Sequence, residues 1–417
     1  MSPLGTPPEA SADLAIRELL AGSHLAAPYE LAELFDSCAR TMGARGAVAY
    51  ISDLQQHVLL PLVDPRGPGP DRQLTPLSID ATLAGRAFQT FEAHTQDGEV
   101  DGARVWLPML VGTDRIGVLS VTVDDVGDFG TGDTPLALGL GRLAATAANL
   151  VVTKEPYGDS IVRLRRRSAM GLAAELQYSL LPPLTFASRP VTLSAALEPC
   201  YKVAGDTIDY AVDAGLTQVA VFDGMGHGLH SAQCAVLTVA AYRNARRAGL
   251  SLTDMMLTID DALTTGLGGE VFTTGVLARL DTDTGRFDWV NAGHPEPLLL
   301  RGGRMVRALT VEPRPPLGLG HLVKTDVSVG TEQLEPGDCV LFYTDGVVEA
   351  RAPNGEFFGV ERLTDLVIRH LAGGLPAPET MRRVVRQLLD HQQDQLSDDA
   401  TLLLLEWRSG MQDALLA

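Results

Sequence analysis

An α+β protein of two domains is what this sequence predicts, and three observations predict it. The chain has 417 residues, more than one ordinary hydrophobic core organises. Its first third alternates helical and strand-like apolar patterns. The remainder repeatedly sets an aspartate at the edge of a short, strand-like apolar run.

Hydrophobic residues make up 45% of the chain and charged residues 20%, enough apolar material to offset chain entropy in two cores. Mean hydropathy is +0.09. The net charge of -19 repels a polyanionic backbone, so a neutral or basic protein surface suits the chain better than nucleic acid. Cys38, Cys200, Cys234 and Cys339 never form C-x-x-C, which argues against a zinc knuckle or a disulfide framework and for a reducing cytosol. The N-terminus lacks a basic segment followed by an apolar one, and no apolar stretch approaches the length of a bilayer span. A cytoplasmic protein with no membrane partner is expected.

Residues 1–26 are rich in Pro, Ala, Ser and Gly and read as a loose leader with a short helical patch at 14–20. From 27 to 155 the order is helix, strands, helix. Leu31, Leu34, Phe35 and Cys38 recur at helical spacing, and residues 47–51 read as a strand. Residues 105–110 and 116–123, joined by Gly112-Thr113-Asp114-Arg115, read as a β-hairpin, and 135–152 is helical again.

A connecting helix is expected within 156–183. Glu155-Pro156-Tyr157-Gly158 interrupts the preceding helix, Asp159 is placed to cap the next, and Pro182-Pro183 ends it. Leu172, Leu176 and Leu180 share one face, while Arg163, Arg165, Arg166 and Arg167 make the first half basic. Two readings stay open: a solvated connector, or a helix that transmits the state of the first domain to the second through a parallel homodimer.

Residues 184–408 form the second domain, followed by a tail at 409–417. Gln218-Val219-Ala220-Val221-Phe222 leads into Asp223-Gly224-Met225-Gly226-His227-Gly228, and Cys339-Val340-Leu341-Phe342-Tyr343-Thr344 leads into Asp345-Gly346. Glycine after each aspartate permits a sharp departure from the strand. Asp398-Asp399-Ala400-Thr401 opens the run Leu402-Leu403-Leu404-Leu405, and Val203-Ala204-Gly205 precedes Asp206. If these ends converge, several carboxylates share a small volume and repel strongly, a conflict that divalent cations remove.

A lone Asp-Gly is a common turn dipeptide, but the ordered set carries a resemblance. Residues 27–155, with GARVWLPMLVGTDRIGVLSV, resemble a GAF domain, a small antiparallel sheet flanked by helices. That implies a pocket for an unknown small-molecule ligand, although no Cys or His is placed for a chromophore or haem. A ligand-free packing or dimerisation module is the equal alternative. Gly205-Asp206, Asp223-Gly224-Met225-Gly226-His227-Gly228, Thr344-Asp345-Gly346 and Asp398-Asp399-Ala400-Thr401 resemble the SpoIIE/RsbU branch of the PPM metal-dependent protein phosphatases. Asn291-Ala292-Gly293-His294-Pro295, Pro316-Leu317-Gly318-Leu319-Gly320 and Leu176-Gln177-Tyr178-Ser179-Leu180-Leu181-Pro182 fit the same family.

The resemblance implies a PPM-type β-sandwich flanked by helices, with two divalent metal ions, Mn2+ or Mg2+, at one end. Asp223 would bridge them, Asp345 and Asp398 would complete one, and Asp206 with the Gly224 carbonyl would hold the other. A metal-activated water would be the nucleophile. Asp223 and His227 are the catalytic candidates, His227 as general acid or as support for its turn. His294 is expected to make a structural hydrogen bond. Asp209 and Asp399 are either outer supports of the ligands or solvated turn carboxylates. The family's usual Gly-Gly-Asp is Ala204-Gly205-Asp206 here, which alters the local surface; Lys202 reads as a surface residue rather than a phosphate clamp. The implied substrate is a phosphoserine or phosphothreonine on a STAS-type anti-sigma-factor antagonist. A non-catalytic scaffold on the same fold is the alternative.

Overall fold

The computed structural model describes residues 8–66, 74–98, 102–125, 127–129, 134–198, 201, 205–226, 228–268, 271–323, 326–393 and 398–408. The chain divides into two compact units, Met1–Ser168 and Ala169–Ala417.

In the first unit the order is α1 (Pro8–Ser23), α2 (Leu31–Thr41), β1 (Gly46–Ser52), β2 (Val58–Pro61), β3 (Leu77–Ser78), α3 (Leu83–Thr90), β4 (His94–Gln96), β5 (Ala103–Val111), β6 (Asp114–Val123), α4 (Pro135–Lys154) and α5 (Asp159–Arg165). The strands form one antiparallel sheet, ordered β3-β2-β1-β6-β5-β4. Val111 pairs with Asp114, so the hairpin turn is only Gly112-Thr113, with Gly112 at φ 61°. Asp114 and Arg115, read from the sequence as turn, belong to the strand. The pleat sends Val105, Leu107 and Val121 to the face under α1, α2 and α4, and Tyr50, Trp106 and Val118 to the face under α3.

Three further expectations are corrected. The described part of the leader, from Pro8 on, is not loose: α1 buries Ala12, Ala15 and Leu19, and Ala15 and Leu19 join the core shared with α2 and α4. Its alanines hid this, because small residues carry a weak periodic signal yet let helices approach closely. Residues 135–157 are also long and apolar enough to span a bilayer by composition, contrary to the sequence reading. In the structure Leu140, Leu143, Ala144, Ala147, Ala148 and Val151 of α4 are buried in that same core.

The third correction is the connecting helix. It is two helices, α5 and α6 (Leu172–Leu180), and they belong to different units. Gly158, not Asp159, occupies the cap position of α5, and no side chain caps it. Arg165 is not merely exposed charge: its carbonyl accepts from the Leu54 amide and its guanidinium pairs with Glu155 at 3.4 Å. On α6 the buried positions are Ala174 and Gln177, whereas Leu172 is 66% exposed. The leucine stripe is therefore not the inward face.

The second unit continues with β7 (Thr185–Ala187), β8 (Val191–Glu198), β9 (Asp206–Asp213), β10 (Leu216–Gly224), α7 (Leu229–Arg247), α8 (Leu252–Leu267), β11 (Thr273–Asp281) and β12 (Arg286–Ala292). It ends with β13 (Leu298–Arg301), β14 (Arg304–Ala308), β15 (Gly330–Gln333), β16 (Cys339–Tyr343), α9 (Asp345–Val348), α10 (Val360–Ala372), α11 (Ala377–His391) and β17 (Ala400–Trp407). A five-stranded sheet, β15-β12-β11-β10-β9, faces a six-stranded one, β14-β13-β16-β17-β8-β7. Val219, Val221, Val276, Val340, Phe342, Leu403 and Leu405 fill the space between them. The alternate residues pack outward, Ala220 and Phe222 against α7 and α8, Leu341 and Leu404 against α10 and α11. The expected sandwich with outer helices is what forms. The tail at 409–417 lies outside the described residues.

Candidate metal centre

Strand parity decides which aspartates meet. Val219 and Val221 of β10 face the inter-sheet core, and Asp223 continues the same alternation to the strand's end. Ile208 faces inward on β9, so Asp206, two residues earlier, does too, and the two aspartates are direct register partners. From the other sheet, Thr344 continues the inward set of Val340 and Phe342, and Asp345 opens α9 beside it. Asp398 and Asp399 lie just before β17. One end of the sandwich thus gathers carboxylates from both sheets.

The cluster runs from buried to open. Asp206 is 1% exposed, Asp223 is half-buried, and Asp345 and Asp398 are exposed. Burial first, then the charges of Asp223 and Asp399, push the Asp206 carboxyl well above the ordinary carboxylate range. Burial together with Asp345, Asp398 and Asp399 pushes Asp223 up to about 7. Asp345 is raised by burial and by Asp398 and Glu349. All three shifts have the same physical cause: negative charges brought together in a partly dry space.

Among the described residues, no three or more His, Cys, Asp or Glu side chains enclose an ion as they stand. What converges is a set of mutually repelling carboxylates around a shared opening. Asp206 Oδ1 is buried without a hydrogen-bond partner, and the donors are hard oxygens. Both features fit a divalent cation.

Asp206 is held from several sides. Thr344 Oγ1 donates to its Oδ2 at 2.7 Å and accepts from the Thr401 amide at 2.9 Å. Asp399 Oδ2 accepts from the Gly205 amide at 2.8 Å and lies 3.4 Å from the Asp206 amide. Buried Gln177 on α6 donates its side-chain amide to the Asp206 carbonyl. The Gly224 carbonyl accepts from Ser231 Oγ at 3.1 Å, which leaves a second lone pair. Glycine at 205 and 346 reflects close approach: a Cβ at 205 would lie 2.7 Å from the Gly224 oxygen, and one at 346 would overlap the Asp399 carbonyl.

Other candidates separate. Asp209 is not a turn carboxylate beside the ligands. Its parity sends it to the outer face, where Arg243 and Arg246 of α7 pair with it at 2.7 and 3.0 Å. Asp399 takes the outer supporting position rather than that of a solvated turn. His294 is buried, its Nδ1 lies 2.9 Å from Thr274 Oγ1, and its backbone is clasped by the Asn291 side chain. Burial lowers its pKa to about 3, so it stays neutral and structural. His227 and Lys202 lie outside the described residues. Sequence reasoning missed Thr344 and Gln177 as site residues, although each sits inside a quoted motif and Thr344 carries the inward parity of its strand.

Residues 213–408 match the family of stage II sporulation protein E (SpoIIE). The C-terminal unit belongs to the SpoIIE family. Phosphoserine phosphatase RsbU of Bacillus subtilis (strain 168) is 26% identical over 239 residues, 57% of this chain and 70% of RsbU. Phosphoserine phosphatase RsbP of the same organism is 26% identical over 196 residues, 46% of this chain and 47% of RsbP. Among solved structures, the RsbU and RsbW domains of Rv1364c from Mycobacterium tuberculosis share 27% identity with a TM-score of 0.45, covering 52% of this chain and 62% of that one. The SpoIIE match takes in Asp223, Asp345 and Asp398 and begins seven residues after Asp206.

Proposed function

We propose that this chain is a metal-dependent phosphoserine/phosphothreonine protein phosphatase, acting on a phosphorylated STAS-type anti-sigma-factor antagonist under control of its GAF-like N-terminal unit. The observation that carries the reading is the convergence of Asp206, Asp223, Asp345, Asp398 and Asp399 from two sheets at one end of the sandwich. Family membership and the phosphoserine phosphatases RsbU and RsbP among its relatives support it.

Asp206, Asp223 and the Gly224 carbonyl would hold one cation, with Asp223 shared and Asp345 and Asp398 serving the second. Two Mn2+ or Mg2+ ions supply, when bound, Lewis-acid activation of water and neutralisation of the phosphate charge. The chain's own part is positional. Buried Asp206 anchors the deep end, while exposed Asp345 and Asp398 leave the mouth accessible to a phosphorylated side chain on another protein. His227, four residues after Asp223 in the sequence, is the candidate general acid for the leaving hydroxyl. The first unit senses an unknown small molecule, and the protein works in a reducing cytoplasm, in keeping with buried free thiols at Cys38, Cys234 and Cys339. A homodimer through the region between the units is one form this control takes.

The test is phosphate release from a phosphorylated STAS-type protein with Mn2+, with chelator, and with Asp223→Asn. Activity is expected with Mn2+ alone and to fall by at least about 100-fold in the other two arms. Turnover unchanged by chelator and by the substitution would sink the metal mechanism. Binding without turnover in every arm would favour a scaffold.

A further inference from the structure

We propose that Thr344 is a positioning residue that selects which oxygen of Asp206 faces the cation and joins the ligands of one sheet to those of the other. The proposal rests on the metal-centre reading above and concerns a residue that is itself no ligand.

Beside a cation Asp206 is ionised and only accepts, and its hydrogen bonds then have one arrangement. The Thr401 amide can only donate, and it donates to Thr344 Oγ1 at 2.9 Å. The hydroxyl's single proton is therefore directed at its other neighbour, Asp206 Oδ2, at 2.7 Å. With Oδ2 taken, Oδ1 is what remains, and it is buried with no hydrogen-bond partner. Asp206 is thus preset to offer one oxygen, because its main chain is also held: the Gly205 amide by Asp399, the Asp206 carbonyl by Gln177.

The contact also bridges the sandwich. Asp206 opens β9 of the five-stranded sheet, and Thr344 follows β16 of the six-stranded sheet. Asp345 is the next residue, so a single peptide link joins the orienting hydroxyl to a ligand of the other proposed ion. Without the hydroxyl, the Asp206 carboxylate gains rotational freedom and the two halves of the site keep the Asp399–Gly205 contact but lose the one that orients the carboxylate. Outer-shell partners of this kind typically tune metal affinity by 10–100-fold.

Full-length wild type, Thr344→Val and Thr344→Ser are titrated with Mn2+ by calorimetry, and metal-free thermal unfolding is recorded for each. Valine keeps the branched shape and removes the hydroxyl; serine keeps the hydroxyl. The expected result is Mn2+ affinity weakened roughly tenfold or more in T344V and held within about threefold of wild type in T344S. Equal Mn2+ affinity in wild type and T344V, whatever their unfolding temperatures, overturns the proposal and leaves the metal centre standing. Absence of Mn2+ binding in wild type overturns both. Should T344V not fold, Thr344→Ala carries the same comparison.

Discussion

At the residue scale, chemistry here follows from parity and from what surrounds each carboxylate. Asp206 and Asp209 are three apart on one strand, so the pleat sends them to opposite faces. One meets Asp223 and the other meets Arg243 and Arg246. The raised Asp223 gives a pH dependence whose sign can be worked out. Its folded value is about 7 against an ordinary 3.8, so between about pH 4 and 7 the folded state binds more protons than the unfolded state. Metal-free stability therefore falls as pH rises through that window and levels off above it. A divalent cation relieves the same repulsion, so Mn2+ should raise the unfolding temperature more at pH 8 than at pH 5. Equal shifts at the two pH values, measured by thermal denaturation, would contradict the clustering of these carboxylates.

At the element scale, α6 turns the end of the inter-unit segment into part of the site. Its Leu180 carbonyl accepts from Arg243 at 2.5 Å, and its Gln177 serves the Asp206 carbonyl. Gln177→Ala leaves that buried carbonyl short of a donor, which should lower the stability of the C-terminal unit by about 1–3 kcal/mol and weaken Mn2+ binding as Asp206 loosens. Chemical denaturation and metal titration of the full chain read the two effects separately. An unchanged denaturation midpoint together with unchanged Mn2+ affinity would reduce Gln177 to a filler of α6. The helix also shows where hydrophobic spacing misleads. Leu172, Leu176 and Leu180 draw the eye, yet Ala174 and Gln177 face inward, because the site's need for a buried donor outweighs apolar periodicity.

At the scale of the whole molecule, the division between the units falls at 168/169, inside the segment expected as one connecting helix. Under the regulated-phosphatase reading, removing residues 1–168 should change the phosphatase rate or its Mn2+ dependence while leaving the metal centre in place. Kinetics identical to those of the full chain would mean the first unit exerts no control. The pattern of charge belongs to this scale as well: a chain of net charge -19 still concentrates carboxylates at one end of a sandwich, where a bound cation or proton uptake relieves their repulsion.

Local patterning determined much of this protein without the structure. Short apolar runs in β5, β6, β10, β16 and β17 announce buried strands, and the aspartates that end β10 or flank β16 and β17 name the candidate site. Those features are legible because their period and their chemistry are carried by neighbouring residues. Tertiary structure alone decided three things. It recruited alanine-rich α1 into the core, split the connector, and assigned Thr344, Gln177 and Asp399 to Asp206. Each of these depends on contacts between residues far apart in the chain, where burial and hydrogen-bond satisfaction, not local propensity, set the outcome.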